Sequence, residues 1–293
     1  MRPKRFEVKT DAGPLLVGDV YGEMGQPVLL LHGGGQTRHS WKKTAEALAQ
    51  AGFRALPFDQ RGHGDSGRPL DQRYTFFDFA RDAHALAKAI DQRFGQPPAV
   101  VGASLGGLAA LIATTCEDIN PFAALVLVDV TPRMDPNGVA AVQGFMREKA
   151  LEGFSSVDEA AAAIAAYLPH RPKPRSLEGL RKNLRKADGG RLYWHWDPAF
   201  LIGPSPIETD RAAVEGAALK AAALLAIPSL LVRGASSELV RQDQADEFLR
   251  TAKGSEFVDV ADARHMVAGD SNGVFTAAVV AFLKRQLANG DRI

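Results

Sequence analysis

The segment Gly102-Ala103-Ser104-Leu105-Gly106-Gly107 combines residue types and spacing that suit nucleophilic catalysis. It follows the apolar run Ala99-Val100-Val101 and precedes a helical pattern, so Ser104 falls at a strand-to-helix corner. Glycines two residues before and two after leave room for strand and helix to approach closely. The corner lifts the hydroxyl off the backbone and sets it at a helix N-terminus, where free N–H groups favour developing negative charge. Without that context the pattern would describe a serine that merely caps a helix. A serine hydroxyl is a weak nucleophile at neutral pH and needs an imidazole to take its proton. Of seven histidines, His265 lies five residues past the last strand-like run, Phe257 to Val260. The others have plainer readings. His39 is near a glycine-rich loop, His63 is inside one, His84 is mid-helix, and His170 and His195 lie in a helical middle section. His32 ends a buried strand and is read as structural.

An acid must orient the imidazole and stabilise its protonated form. Asp129 ends the apolar run Leu125 to Val128, 25 residues past Ser104, and is preferred. The next strand-like segment ends Ser236-Ser237-Glu238, making Glu238 the alternative acid, and Asp262 is a further one. A tetrahedral intermediate also needs two N–H donors. A glycine-rich bend can turn an amide inward without a side chain in the way, so His32-Gly33-Gly34-Gly35 assigns them to the amides of Gly34 and Leu105. The loop Asp59-Gln60-Arg61-Gly62-His63-Gly64-Asp65-Ser66-Gly67 is dense in polar groups but lacks the Gly-Lys-Ser/Thr ending of a phosphate loop. It is read as a structural turn in which Asp59 and Arg61 tie neighbouring loops. No His-x-x-x-His or cysteine pair suggests a metal, and Cys116 reads as a small core residue.

These groups need a scaffold that brings strand ends together. Phe6 to Thr10 and Leu15 to Tyr21 flank Asp11-Ala12-Gly13-Pro14, a strong turn signal, and read as an opening hairpin. Short apolar runs at Val28 to Leu31, Phe53 to Phe58, Ala99 to Gly102, Ala124 to Val130, Ile227 to Val232 and Phe257 to Val260 alternate with helical patterns. That alternation predicts crossover units and a mostly parallel sheet, an α/β fold. From about Pro132 to Lys220 no good central strand occurs. Helical pieces at Val139 to Leu151 and Val157 to Leu168 precede a basic, proline-containing stretch, the aromatic cluster Tyr193-Trp194-His195-Trp196, and an alanine-rich helix from about Asp210. Residues 132–220 are therefore expected to form a helical cap inserted into a core made of 1–131 and 221–293. Such insertions are tolerated at loops, where they do not interrupt the core.

Composition excludes several classes. Lys plus Arg total 35 against 34 Asp plus Glu, which gives no electrostatic reason to expect nucleic acid or an anionic membrane as partner. One cysteine excludes an internal disulfide and fits a reducing compartment. No run of 18 apolar residues occurs, and the N-terminal Met1 to Pro14 has no apolar stretch behind its positive charge, so a cytoplasmic enzyme is expected. No cofactor is called for, and the oligomeric state is open.

The order Ser104, Asp129 or Glu238, His265, with HGGG, DQRGHGDSG and GASLGG, resembles the α/β-hydrolase superfamily along essentially the whole chain. It is similar to capped serine hydrolases, both epoxide hydrolase-like and esterase or lactonase members. The resemblance implies an eight-stranded, mostly parallel sheet flanked by helices, with an antiparallel second strand and the site between sheet and cap. It also implies that the acid commonly follows the strand after the cap, at Ser236-Ser237-Glu238, although haloalkane dehalogenases and cofactor-free ring-cleaving dioxygenases carry it one strand earlier, matching Asp129. Epoxide hydrolases and dehalogenases use a carboxylate nucleophile, which Ser104 argues against. The expected activity is cleavage of a small ester, thioester or lactone through an acyl-enzyme. A cofactor-independent oxygenase or haloperoxidase-like enzyme is one alternative, and a non-catalytic small-molecule binding protein is another. Gly35, Trp194, Trp196 and Phe200 are the expected substrate-pocket residues, with Tyr193 beside them. The aromatics read equally as the core of the cap. The basic run Arg171 to Lys186 reads as a solvated face rather than as an attractor of acidic substrates.

Overall fold

The computed structural model describes residues 3–10, 13–169, 176–261, 263–267 and 272–287. Asp11, Ala12, His170, Asp262 and the 171–175 part of the basic run lie outside the described residues. The strands are β1 Lys4–Lys9, β2 Leu15–Val20, β3 Pro27–Leu31, β4 Arg54–Asp59, β5 Ala99–Ala103, β6 Ala124–Val128, β7 Leu184–Lys186, β8 Leu192–Trp194, β9 Ser229–Gly234 and β10 Glu256–Val260. The helices are α1 Lys42–Gln50, α2 Phe76–Phe94, α3 Leu105–Ala113, α4 Pro136–Glu148, α5 Val157–Tyr167, α6 Glu178–Arg181, α7 Ala199–Ile202, α8 Arg211–Ala223, α9 Gln242–Thr251 and α10 Asn272–Leu287.

Eight strands form one sheet in the order β1-β2-β4-β3-β5-β6-β9-β10. Only β2 opposes its neighbours; every other pairing from β4 to β10 is parallel. The central strands are buried along their length, as a sheet covered on both faces requires. Their side chains still alternate. Leu29, Leu31, Val100, Leu125, Leu127 and Leu231 enter one core with α2, α3, α8 and α9. Val28, Leu30, Val101, Val126, Leu230 and Val232 enter the other with Trp41, α1 and α10. The longest helix, α2, starts on a capping box. Thr75 and Asp78 exchange side-chain and backbone hydrogen bonds, and Gly95 at φ 74° ends it in the left-handed region.

Residues between β6 and β9 form the inserted helical lobe, with two differences from expectation. Leu184 to Lys186 pair antiparallel with Leu192 to Trp194, so the basic and aromatic stretches make a small hairpin. Alternation over three residues is too short to read from sequence. In addition, Val214, Ala218, Ala221 and Ala222 of α8 pack into the large sheet core. Met146, Phe154, Leu184, Trp194 and Phe200 instead share a separate cluster with Tyr74, with Phe79 of α2, and with Leu105 and Ala109 of α3. Cys116 is exposed past the end of α3, rather than in the core, because the helix stops at Ala113.

The loop after β4 ties these layers together as expected. Asp59, fully buried, accepts the Arg38 N–H at 2.6 Å and the Asp65 N–H at 2.9 Å, and pairs with the Arg38 guanidinium. Arg61 forks onto Asp82 of α2 through Nε at 2.6 Å and Nη2 at 2.8 Å. A buried guanidinium left without its carboxylate is costly. Asp82→Ala is expected to lower the unfolding free energy by about 3–5 kcal/mol in urea titrations. An unchanged midpoint would show that the pair does not hold the loop to α2.

Candidate active site

The site lies where the carboxyl ends of β5, β6 and β9 meet the lobe. Ser104 stands between β5 and α3 at φ 47°, ψ −112°, a region that costs a non-glycine residue on the order of 1–3 kcal/mol. The sheet and α3 impose it. The Ser104 N–H donates to Val128 O at 3.1 Å, and the Leu108 N–H donates back to Ser104 O at 3.0 Å. A Cβ on Gly102 would come within 2.5 Å of Gly106 and Gly107 backbone, and one on Gly106 within 2.5 Å of Leu31 O. The bare glycines at these two places let α3 start directly on β5 and β3.

Asp129 follows β6 and has no solvent exposure. Its Oδ2 lies 2.8 Å from His265 Nδ1 and accepts the Ser237 hydroxyl at 2.6 Å, while Oδ1 accepts the Gly234 N–H at 3.1 Å. A carboxylate only accepts, so the proton of this imidazole sits on Nδ1 and the lone pair on Nε2. The acid expected from sequence and the histidine are thus brought together across 136 residues. Glu238, the alternative acid, makes no hydrogen bond to His265 among the described residues, and Asp262 lies outside them. Sequence reading missed Ser237 and Gly234 as partners of Asp129. The cause is tertiary: β6 and β9 are neighbours, with Val128 opposite Val232, so the tip of one strand faces the tip of the next.

The glycine-rich loop is held by two buried histidines. His32 Nε2 accepts the Gln60 N–H at 3.1 Å, and its Nδ1 lies 2.8 Å from Gly33 O. His63 Nε2 accepts the Gly35 N–H at 3.1 Å, and its Nδ1 lies 2.9 Å from Arg61 O. Each ring therefore acts as a neutral donor and acceptor at once. Burial pushes His32 down to about 4 and His63 down to about 3, the nearby His32 ring adding to the second shift. His63 takes the Gly35 N–H, and the neighbouring Gly34 N–H, on the cavity wall, has no acceptor among the described residues. Leu105 opens α3, so its N–H likewise has no carbonyl a turn behind it. Sequence reading placed His63 in a turn without finding this bond.

A cavity of about 410 Å³ runs from Ser104 and His265 into the lobe. Gly34, Gly35, Trp194, Trp196 and Phe200 all line it, and Glu238 does too. The three aromatics line this cavity and also belong to the lobe's packed cluster. A second chamber of about 80 Å³ is lined by Ser104, His265, Ser40 and Trp41. The lobe is pinned over the site by the Gly64 N–H to His195 O at 2.7 Å, the Asp197 N–H to Gly62 O at 2.8 Å, and the Tyr74 hydroxyl to Asp197 at 2.8 Å. Among the described residues no group of three or more His, Cys, Asp or Glu is placed to hold a metal, and no helix is long and apolar enough to cross a membrane.

Residues 26–271 match the family model described as alpha/beta hydrolase fold, and the chain belongs to that family. It is 30% identical over 242 residues to Esterase Rv0045c of Mycobacterium tuberculosis, covering 79% of this chain and 74% of that protein. A crystal structure of that esterase superposes with a TM-score of 0.73 at 28% identity, covering 97% of this chain and 92% of the other. E-2-(acetamidomethylene)succinate hydrolase shares the fold with a TM-score of 0.78 at 21% identity, over 97% and 100% of the two chains.

The two buried imidazoles have a pH signature. Both are neutral in the folded chain, whereas their ordinary value is 6.5. Above that pH neither state binds the protons and the stability is fully present. As pH falls from 6.5 through the folded values, the unfolded chain takes up protons that the native chain refuses, and stability is lost. Each imidazole contributes a slope of about 1.4 kcal/mol per pH unit within its window. Unfolding free energies measured from pH 6 to 4 are expected to rise with pH, and His63→Gln is expected to reduce the slope by about one proton's worth. Equal slopes in the two proteins would contradict a neutral buried His63.

Proposed function

We propose that this chain is a serine hydrolase that cleaves an ester, thioester or lactone of a small, largely apolar substrate through an acyl-enzyme. It is an ester-hydrolysing member of its family, and the esterase relative supports that chemistry. Ser104 is the nucleophile, His265 the general base and Asp129 the acid. The observation that carries the assignment is the 2.8 Å contact between His265 Nδ1 and the buried Asp129 carboxylate, on the wall of the cavity that Ser104 opens into. Ser104 Oγ attacks the carbonyl carbon while His265 Nε2 takes its proton, and the buried carboxylate stabilises the imidazolium that forms. The Gly34 and Leu105 amides hold the oxyanion; both are donors with no competing acceptor among the described residues, which is what preorganised stabilisation needs. The imidazolium then protonates the leaving group, and the same base activates water to release the acyl group.

The lobe supplies the substrate walls. Trp194, Trp196 and Phe200 favour an apolar or aromatic acyl or alcohol part. We place the functional division at residues 132–220 as cap and 1–131 with 221–293 as core, α8 being the stretch of the cap that packs into the core. The substrate is a small molecule.

Turnover of p-nitrophenyl butyrate tests the reading. Ser104→Ala is expected to lower kcat by at least about 10⁴-fold. Asp129→Asn is expected to lower it by on the order of 10⁴-fold with KM little changed, because the imidazole is then held in the wrong tautomer. Full activity in either variant would overturn the assignment of that residue.

A further inference from the structure

The wall of the main cavity carries three carboxylates that the hydrolytic steps leave unused, Glu208, Glu215 and Glu238. Glu238 follows β9, its side chain is half-buried, and its Oε2 is buried without a hydrogen-bond partner among the described residues. Two other acids on this wall are paired. Glu208 takes Arg147 at 2.6 Å, and Glu215 takes Arg133 at 2.7 Å. Arg211 and Arg264 also line the cavity, as exposed residues at its rim. A buried carboxylate oxygen without a donor is costly, and a ligand that brings one removes that cost.

The surroundings of Glu238 suit a particular donor. Phe145, Tyr167 and Trp194 line the same cavity. Phe145 and Tyr167 are stacked at 4.3 Å, and Trp194 meets Phe145 edge to face at 6.1 Å. Burial and the negative charge of Glu238 push the Tyr167 phenol up to about 12, so Tyr167 stays neutral within the field of that carboxylate. Ring faces attract cations, and a carboxylate on the wall of the same cavity, close enough to act on Tyr167, adds charge pairing in a partly desolvated place. An anionic or purely apolar group at this position would leave Glu238 unsatisfied.

We propose that Glu238, with Phe145, Tyr167 and Trp194, forms a cation subsite in the substrate cavity that takes an ammonium group carried by the ester. This rests on the hydrolase reading above and narrows its substrate class to esters with an apolar body and a positively charged nitrogen. Glu238 is a specificity determinant and takes no part in bond making.

Three p-nitrophenyl esters of matched length test the subsite: one acyl chain ending in a primary ammonium, which carries N–H donors, one in its neutral methyl isostere and one in carboxylate. The wild-type chain is expected to favour the ammonium ester over the isostere by about 10- to 100-fold in kcat/KM, with the carboxylate ester worst. Glu238→Gln is expected to bring the ammonium-to-isostere ratio close to one, chiefly through KM, while Glu238→Asp keeps part of the preference. Turnover of the isostere with no ammonium preference in the wild type overturns the subsite and leaves the hydrolase reading standing. A preference that survives Glu238→Gln also overturns it. Absence of turnover of all three esters and of p-nitrophenyl butyrate overturns both.

Discussion

The strained corner at Ser104 is the constraint on which the other parts of the site depend. A residue at φ 47°, ψ −112° persists only where its surroundings over-determine it. Here β5 is locked between β3 and β6, and α3 is pressed onto it with no side chain at Gly102 or Gly106. The outcome is a hydroxyl exposed to the cavity at the start of a helix whose first amide is free. Relaxing the corner would move Ser104 and the Leu105 amide together, since both are set by the same turn.

Around this corner Asp129, His32, His63, Asp59 and Arg61 are polar side chains whose partners are filled. Asp129 is wholly buried yet accepts from Gly234 and Ser237 and contacts His265, so its charge is compensated from three sides. Two neutral imidazoles set the backbone of the HGGG loop, and the Asp59–Arg38 and Arg61–Asp82 pairs fix the loops beneath them. Rigid support of this kind is what the proposed mechanism asks for, a carbonyl meeting donors that need no reorganisation. The lobe contributes walls and is joined to the same loop network through His195 and Asp197.

Much of the scaffold was legible because strong local signals coincide with its corners. GASLGG behind an apolar run located the strand-to-helix turn, and alternating apolar runs announced the parallel sheet. Asp129 stood out as a charge at the end of a buried strand, and His265 as the histidine beyond the last one. What could not be read was set by tertiary packing. The hairpin of β7 and β8 is three residues on each side, too short for a period to show. The alanines of α8 carry no marker distinguishing the sheet core from the lobe. His63 holds Gly35 only because β3 and β4 are parallel neighbours whose ends come side by side. Ser237 stood in the turn after β9 only as the neighbour of Glu238, the alternative acid. In three dimensions it is a hydroxyl that donates to the acid one strand away.

The most direct test of the central claim, that the corner presents an activated serine, is intact-mass analysis after exposure to a small fluorophosphonate. An activated Ser104 gives a single stoichiometric adduct on the wild-type chain, absent from Ser104→Ala and formed much more slowly by His265→Ala. A folded wild-type chain that stays unmodified, or an adduct that survives Ser104→Ala, would contradict it.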